Sequence, residues 1–412
     1  MRAVRIVALI LAVMMIQGCW GSRESDEIAY VLAMGFDKGP GQNVIISFQI
    51  ANPKAIAGVA GGGGGGGGAD SRPLITDSIV ALLPIGAFKL LNVERSREIS
   101  LLHTTAFIFS EEVARQGLTP YLNSLERYRE TRGTSFVFIC RGKAKEFIKK
   151  NQPILEINPS KQYELLDRTS MLHGLTPVTQ FSEFYLRTKS MAANPVAPLV
   201  AVSRKNTDVK EQPPKNRLGD YLAGEMPSDG DRSQFLGAAV FRRDRMVGEL
   251  TGDETRYLNM ITGKIRESFI NIEDPLRKGK SLGVTLRQTR SPGVKINIDG
   301  SRPEIKVDIY QEPEIVGISS GINYESTDLK PVLEEALEKI IRDRCREVVS
   351  RAQEEFRSDI FGFGRYARMK FLTLGQWREY SWEDAFPTAA VDIHVHVKIR
   401  RTGLMLETMP PR

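Results

Sequence analysis

Apolar and polar residues alternate most regularly close to the end of the chain. The apolar positions are Val391, Ile393, Val395, Val397 and Ile399, and the polar positions are Asp392, His394, His396, Lys398 and Arg400. Successive side chains of a strand point to opposite faces, so a period of two predicts one buried face and one solvated face. We therefore expect a strand here that covers a core on one side.

A pattern with steps of three and four residues precedes that strand. Its apolar positions are Leu333, Leu337, Ile340, Ile341, Cys345, Val348, Ala352 and Phe356. This spacing is typical of one face of a helix, and Pro331 suits a first turn because its missing N–H would have no partner there. The pattern predicts one amphipathic helix of about seven turns that packs on a sheet of its own domain.

Shorter apolar runs and helical segments alternate along the rest of the chain. We predict a hairpin from residues 27–37 and 44–51, helices over 77–91 and 119–129, and strands over 101–109 and 136–140. Residues 235–241 and 246–250 predict a second hairpin. Thr251 with Glu254 three residues later has the spacing of a capping box and predicts a helix start. The mixture predicts an α+β fold.

Two segments without apolar periodicity divide the chain. Residues 61–68 are eight consecutive glycines, which predict a flexible tether because Ala69 follows where a phosphate-binding loop needs lysine. The polar segment 208–220 is the best domain boundary. We therefore expect three mixed sheet-and-helix domains behind a signal peptide. They are an N-terminal α+β domain at 19–207 with the tether, a middle domain at 217–300, and a C-terminal domain at 301–405 with the long helix.

The N-terminus has the pattern of an export signal. Arg2 and Arg5 precede an apolar run over residues 6–16, which is too short to cross a hydrocarbon core about 30 Å thick. The run ends at Gly18-Cys19, like a bacterial lipobox. Residues 1–18 are thus a predicted signal peptide, and Cys19 is the predicted site of a thioether-linked diacylglycerol that holds the chain to a membrane. A plain secretory signal with a coincidental cysteine is the alternative.

The composition excludes several classes of protein. With 412 residues, 41% hydrophobic and 26% charged, the chain is globular rather than collagen-like or largely disordered. Its net charge of +7 is spread over the whole length, so we expect no nucleic-acid partner. If Cys19 is acylated, Cys140 and Cys345 remain as thiols. Export would permit a disulfide between them, but each lies in a different apolar pattern, which favours two separate buried thiols.

Few residues offer catalytic or metal chemistry. His394 and His396 share a strand face with Asp392 and could hold a metal, but no third His or Cys ligand follows nearby. We therefore expect a solvated face and assign no metal, cofactor or catalytic residue. Gly362-Phe363-Gly364 imitates a dinucleotide fingerprint but follows a helix, which predicts a helix C-terminal turn. The densest basic cluster, residues 242–245, is predicted to be a solvated hairpin turn.

A series of short motifs runs along nearly the whole chain. They are Gly18-Cys19-Trp20, Glu27-Ile28-Ala29, Gly35-Phe36-Asp37, Gly237-Ala238-Ala239-Val240-Phe241, Asp244, Gly248-Glu249-Leu250, Glu254-Thr255, Asp359-Ile360-Phe361-Gly362-Phe363-Gly364, Trp377, Trp382 and Ile399-Arg400-Arg401-Thr402-Gly403. Each motif is weak alone, but together and in this order they are specific. The series resembles the Ger(x)C family, the lipoprotein C subunits of nutrient germination receptors in endospore-forming bacteria.

The resemblance implies a three-domain α+β protein anchored through Cys19 to the outer face of the spore inner membrane. It implies two partners, a membrane-embedded A subunit and a transporter-like B subunit, and a non-catalytic role in nutrient-triggered germination. The alternative function is an exported lipoprotein enzyme or binding protein that acts on cell-wall material. In that case Asp392, His394 and His396 are its possible metal site.

Overall fold

In the computed structural model, the described residues are 5, 27–52, 73–151, 159–203, 217–227, 233–299, 302–401, 405 and 408. The predicted signal peptide apart from Arg5, the lipidation site Cys19, the glycine tether and most of the predicted boundary at 208–220 lie outside them. Within the described part, no helix combines the length and apolar character needed to cross a membrane.

Strands and helices are interspersed along the described chain. The strands are β1 (Ile28–Lys38), β2 (Val44–Ala51), β3 (Leu74–Ala81), β4 (Glu98–Ser100), β5 (Ala106–Ser110), β6 (Phe136–Cys140), β7 (Val196–Val202), β8 (Ser233–Arg242), β9 (Arg245–Leu250), β10 (Glu267–Glu273), β11 (Ser281–Gln288), β12 (Gly293–Asn297), β13 (Glu304–Ile318) and β14 (Ala390–Val397). The helices are α1 (Pro84–Glu94), α2 (Glu111–Gln116), α3 (Thr119–Glu126), α4 (Ala144–Lys150), α5 (Pro159–His173), α6 (Phe181–Lys189), α7 (Gly252–Thr262), α8 (Lys330–Ser350), α9 (Gly364–Arg368), α10 (Leu374–Tyr380) and α11 (Trp382–Ala385). A π-helical turn (Arg351–Glu355) follows α8 and a 3₁₀ turn (Phe386–Thr388) follows α11. The mixture confirms the predicted α+β class.

The first sheet is mixed and, within the described residues, has the strand order β3-β2-β1-β5-β6-β7-β8-β9, with β4 beside β1. Its centre, from β1 through β5 and β6 to β7, is parallel, which requires crossover connections that helices supply. Its outer strands are antiparallel. The predicted β8–β9 hairpin is confirmed. It continues this sheet across the segment predicted as a domain boundary, because Val196 of β7 lies opposite Val240 of β8.

Helices cover both faces of the first sheet. Phe88 of α1, Leu122 of α3 and Phe181 of α6 belong to one buried cluster with β1, β2, β5 and β6. Phe147 of α4 and Tyr163 of α5 belong to another cluster on the opposite face. Strands buried on both sides read as continuous apolar runs, which is why the strand β5 (Ala106–Ser110) shows no alternation.

The second sheet has the order β10-β11-β13-β12 in the described part, and β14 runs parallel to β13. Helix α8 packs on β14 with Leu333, Leu337, Ile341 and Cys345 fully buried. The helix and the alternating strand are therefore confirmed. The predicted helix continues beyond α8 through the π-helical turn as far as Phe356, whose N–H donates to the Arg351 carbonyl five residues back.

The prediction of a helix over residues 77–91 is wrong in its first part. Residues up to Ala81 form β3, where Ala81 lies opposite Val44 of β2, and α1 begins only at Pro84. Proline fits the first turn of a helix, but not its interior, where the missing N–H and the ring would break the turn. The helical periodicity therefore belongs to the residues after Pro84 alone.

Candidate functional site

The histidines of the predicted polar face of β14 do not converge. His394 Nε2 lies 2.7 Å from Asp392 Oδ2, whereas His396 Nε2 lies 3.3 Å from Asp308 Oδ1 and its ring stacks on Tyr310. All four polar partners are at least partly solvent-exposed. No group of three or more His, Cys, Asp or Glu side chains in the described part of the chain is placed to hold a metal ion.

The two thiols are separate, as predicted. Cys140 and Cys345 are both buried and neither forms a disulfide. Burial raises the pKa of each thiol well above its ordinary value. Because the thiolate is the reactive form of cysteine, both are inert in the folded chain.

Some of the motif residues, among them Asp359, Gly362, Gly364 and Trp382, meet at one buried junction, which lies where the β8–β9 hairpin meets the chain that follows the long helix. Asp359 is its centre. The carboxylate accepts hydrogen bonds from the backbone N–H of Gly362 at 2.8 Å, of Phe363 at 3.2 Å and of Gly364 at 2.8 Å. It also accepts the indole N–H of Trp382 at 2.9 Å. Residues 362–364 thus wrap around a carboxylate of the chain itself at the start of α9. They are not the predicted helix C-terminal turn, because the long helix with its π-helical turn ends earlier, at Glu355.

Burial raises the pKa of Asp359, and the four N–H donors oppose that effect by favouring the ionised form. Gly362 adopts φ +81° in this turn, a conformation that glycine adopts without steric cost. A Cβ on Gly364 would come too close to the ring of Trp382. The two glycines are therefore required by the geometry that lets the backbone surround the carboxylate.

Residues 242–245 form a hairpin turn with Arg243 and Arg245 exposed, as predicted for a solvated turn, and this turn also docks against the junction. Glu383 of α11 pairs with Arg242 at 3.0 Å and with Arg243 at 2.7 Å. The backbone N–H of Arg243 donates to Asn194 Oδ1, and the N–H of Asn194 donates to the Asp359 carbonyl. The hairpin turn of the first sheet therefore contacts both Asn194, just before β7, and Glu383 of α11.

A cleft of about 430 Å³ adjoins the junction. Its charged side chains are Glu183, Arg187, Lys264 and Arg365, and its apolar ones include Phe361, Tyr366 and Met369. Glu183 Oε1 lies 2.7 Å from Lys264 Nζ and 3.1 Å from Arg187 Nε. Three cations thus face one carboxylate, which leaves an excess of positive charge that can attract an anionic group.

Burial and the pairing of Glu183 with its cations determine the pKa shifts inside the cleft. Burial acts to raise the pKa of Glu183, but Lys264 and Arg187 outweigh it and hold the pKa below its ordinary value. Burial lowers the pKa of Lys264, and Glu183 opposes that effect. Arg187 also donates to the Asn194 and Ile360 carbonyls. The buried guanidinium therefore connects the cleft to the junction.

Sequence reasoning did not single out the charged residues of this cleft. Glu183 and Arg187 lie on α6, Lys264 follows α7 and Arg365 lies on α9. Because these residues lie on two helices and just after a third, far apart in sequence, no local spacing could reveal them.

Two family models match the chain. The model described as "Spore germination protein N-terminal domain" matches residues 21–202, and the model described as "Spore germination B3/ GerAC like, C-terminal" matches residues 236–403. The chain is 27% identical to spore germination protein KC of Bacillus subtilis (strain 168), over 97% of this chain and 95% of that protein. It is 22% identical to the putative spore germination protein YfkR of the same strain, over 98% of each.

A solved structure described as that of the GerBC protein superposes with a TM-score of 0.53. The superposition covers 89% of this chain and 96% of the other at 14% sequence identity. At this identity the likeness shows a shared fold.

Proposed function

Because the chain belongs to the Ger(x)C family of spore germination proteins, we propose that it is the lipid-anchored, non-catalytic C subunit of a nutrient germinant receptor. The observation that carries this proposal is the match of both family models in order along the chain, together with the relative that aligns over 97% of it. In this role the chain is needed for nutrient-triggered spore germination.

A non-catalytic role is supported by how the motif residues are used. The carboxylate of Asp359 already accepts four N–H groups, and Glu254 accepts the N–H of Thr251 and pairs with Arg351. Both carboxylates are engaged in contacts that hold the fold together. For Asp359 and Glu254, a structural role accounts for the acidic motif residue.

The membrane anchor is proposed from the sequence alone. Gly18-Cys19 follows a short apolar run and two arginines, and two or more acyl chains hold a protein firmly to a bilayer. We propose that lipid on Cys19 places the chain on the outer face of the spore inner membrane. Confinement to that layer raises its effective concentration for the membrane-embedded A and B subunits without requiring a strong interface.

The test is Cys19→Ala in spores of the producing bacterium, with Gln17→Ala as the matched control that leaves the lipobox cysteine in place. We expect Cys19→Ala to move the protein from the membrane to the soluble fraction and to impair germination in response to nutrients, while Gln17→Ala behaves like wild type. Normal germination with a fully soluble variant would refute the proposal. Crosslinking in intact spores, followed by identification of the neighbours, tests the A and B partners.

A further inference from the structure

The segment from α9 to the start of α10 exposes four apolar side chains, which we call the apolar tip: Tyr366 on α9, Met369 and Leu372 in the loop, and Leu374 at the first position of α10. Leu372 is 94% exposed and Met369 is 74% exposed. Single exposed apolar residues are ordinary on a protein surface, whereas several within nine residues mark an interaction site.

The apolar tip is held in place by the residues between its members. The side chain of Phe371 packs against Trp377 and Tyr380, with ring centroids 5.4 Å and 5.0 Å apart. Arg368 Nη1 donates to the Phe371 carbonyl at 2.9 Å. Thr373 and Gln376 then form a capping box that starts α10. The loop therefore directs Phe371 inward and Leu372 outward in a fixed geometry, so that exposure of Leu372 is built into the fold.

All charged side chains in residues 365–378, the segment that contains the apolar tip, are positive. Arg365, Lys370 and Arg378 are exposed, Arg368 is half-buried, and no acidic residue occurs from 365 to 378. None of the three exposed cations forms an ion pair with another residue in the described ranges. On the neighbouring helix, Glu383 is engaged by Arg242 and Arg243, while Asp384 accepts the hydroxyl of Ser381. Glu379 is the one acidic residue directly adjacent in sequence.

We propose that the apolar tip is a second membrane contact, which inserts into the interface of a bilayer that contains anionic phospholipid. Apolar side chains that enter the boundary between headgroups and acyl chains, flanked by cations that meet lipid phosphates, are the chemistry of an interfacial anchor. Charge complementarity selects this occupant, because residues 365–378 carry four cations and no acid, and the carboxylate of the adjoining cleft, Glu183, is already paired with Lys264 and Arg187. Two contact points, Cys19 and the tip, would fix how the body is oriented on the membrane.

The experiment places a solvent-sensitive fluorophore on Leu372→Cys in the full chain and mixes it with excess vesicles of phosphatidylglycerol and phosphatidylcholine that contain a spin-labelled quencher lipid. Val316→Cys, an exposed position on β13, is the matched control. The thiols of Cys140 and Cys345 are buried, and Cys19 is replaced by alanine in both labelled variants, so that only the introduced cysteine takes the label. We expect quenching at 372 to exceed quenching at 316 by about threefold or more, since only an inserted probe meets the quencher.

Charge reversal tests the electrostatic part. Lys370→Glu with Arg378→Glu is expected to reduce quenching at 372 several-fold, whereas Lys278→Glu with Lys280→Glu, an exposed pair on the β10–β11 turn, leaves it unchanged. Equal quenching at 372 and 316, quenching that persists undiminished in pure phosphatidylcholine, or a chain that does not float with anionic vesicles at all would overturn the proposal. Loss of the anchor alone is distinguishable, because Cys19→Ala changes flotation while the probe at 372 still reports insertion.

Discussion

Trp382 donates its indole N–H to Asp359 Oδ2 across 2.9 Å, and this bond joins two elements that are 23 residues apart. It connects α11, whose Glu383 pairs with Arg242 and Arg243 of the β8–β9 hairpin turn, to the turn that follows the long helix. The carboxylate is thus the point where the second sheet's helices and the first sheet's hairpin are fixed relative to each other.

Replacement of Asp359 by Asn should destabilise the folded chain substantially. An amide oxygen can accept fewer of the four N–H groups and its own NH₂ faces donors, so we expect a loss of about 2–4 kcal/mol in the free energy of unfolding. Urea titration followed by tryptophan fluorescence measures this loss. Asp384→Asn, an exposed position, serves as control, with an expected loss below about 0.5 kcal/mol. A loss equal to that of the control would contradict the role given to Asp359.

Asp253 and Arg256 form a buried ion pair 2.6 Å apart. Removing one partner should lower the free energy of unfolding strongly, whereas replacing both by apolar residues should lower it little. Arg256→Met leaves a buried carboxylate unpaired, so we expect a loss of about 3–5 kcal/mol. Asp253→Leu combined with Arg256→Met removes both charges and should recover most of that loss. Both values come from urea unfolding. Arg346→Met, which removes an exposed pair with Asp392, should cost less than about 1 kcal/mol.

If the double variant is as unstable as Arg256→Met alone, the hydrogen bond from Arg256 to the Leu218 carbonyl, rather than charge pairing, accounts for the loss.

His173 should make stability fall in mild acid. Its Nδ1 accepts the N–H of Leu175 at 3.0 Å, which requires the neutral ring, and burial together with the nearby Arg256 lowers the pKa of His173. The unfolded chain therefore binds this proton more readily. The stabilising effect is complete above about pH 6.5 and is lost as the pH falls from there toward the folded pKa.

The free energy of unfolding at pH 7.5 and at pH 5.5 tests this sign. The wild-type chain should lose stability between the two, and His173→Asn, whose side-chain oxygen can still accept the Leu175 N–H, should lose less. His103→Asn, at an exposed position, should keep the wild-type difference. A pH dependence unchanged by His173→Asn would contradict the assignment.

Gly248 packs directly on the ring of Phe356, where an added Cβ would overlap the ring. Gly248→Ala should therefore cost about 1–3 kcal/mol, and Phe356→Leu in the same chain should relieve part of that cost, so that the two changes are not additive. Gly317→Ala, whose Cβ meets nothing within 4 Å, is the control and should stay within about 0.5 kcal/mol of wild type. Strict additivity of Gly248→Ala and Phe356→Leu would show that the two residues do not share the contact.

Elements whose signals are local were predictable from the sequence. The period of two over β14, the steps of three and four over α8 and the capping box at Thr251 each depend on neighbours within a few residues, and all three are confirmed. The helix predicted over residues 77–91 is wrong before Pro84, because the strand β3 and the helix α1 share one continuous apolar run. Proline marked the true start of the helix.

The candidate site could not be predicted in the same way. The charged residues of the cleft come from α6, the end of α7 and α9, and the docking of residues 242–245 depends on Glu383, which is 140 or more positions away in sequence. Only the motif series indicated that these regions matter together. The pairings themselves arise from tertiary packing, which a single sequence does not encode in any local pattern.

The long helix α8 also covers backbone N–H groups at the end of the last strand, β14. Glu338 Oε1 accepts the N–H of Val397 at 3.0 Å, and Glu334 Oε1 accepts the N–H of Ile399 at 2.8 Å. Backbone amides left open at the edge of a sheet are a template on which another polypeptide can add as a strand. The two carboxylates of α8 accept these N–H groups, so another polypeptide cannot pair with them as an added strand. Neighbouring copies of the chain can then lie side by side without pairing through this margin.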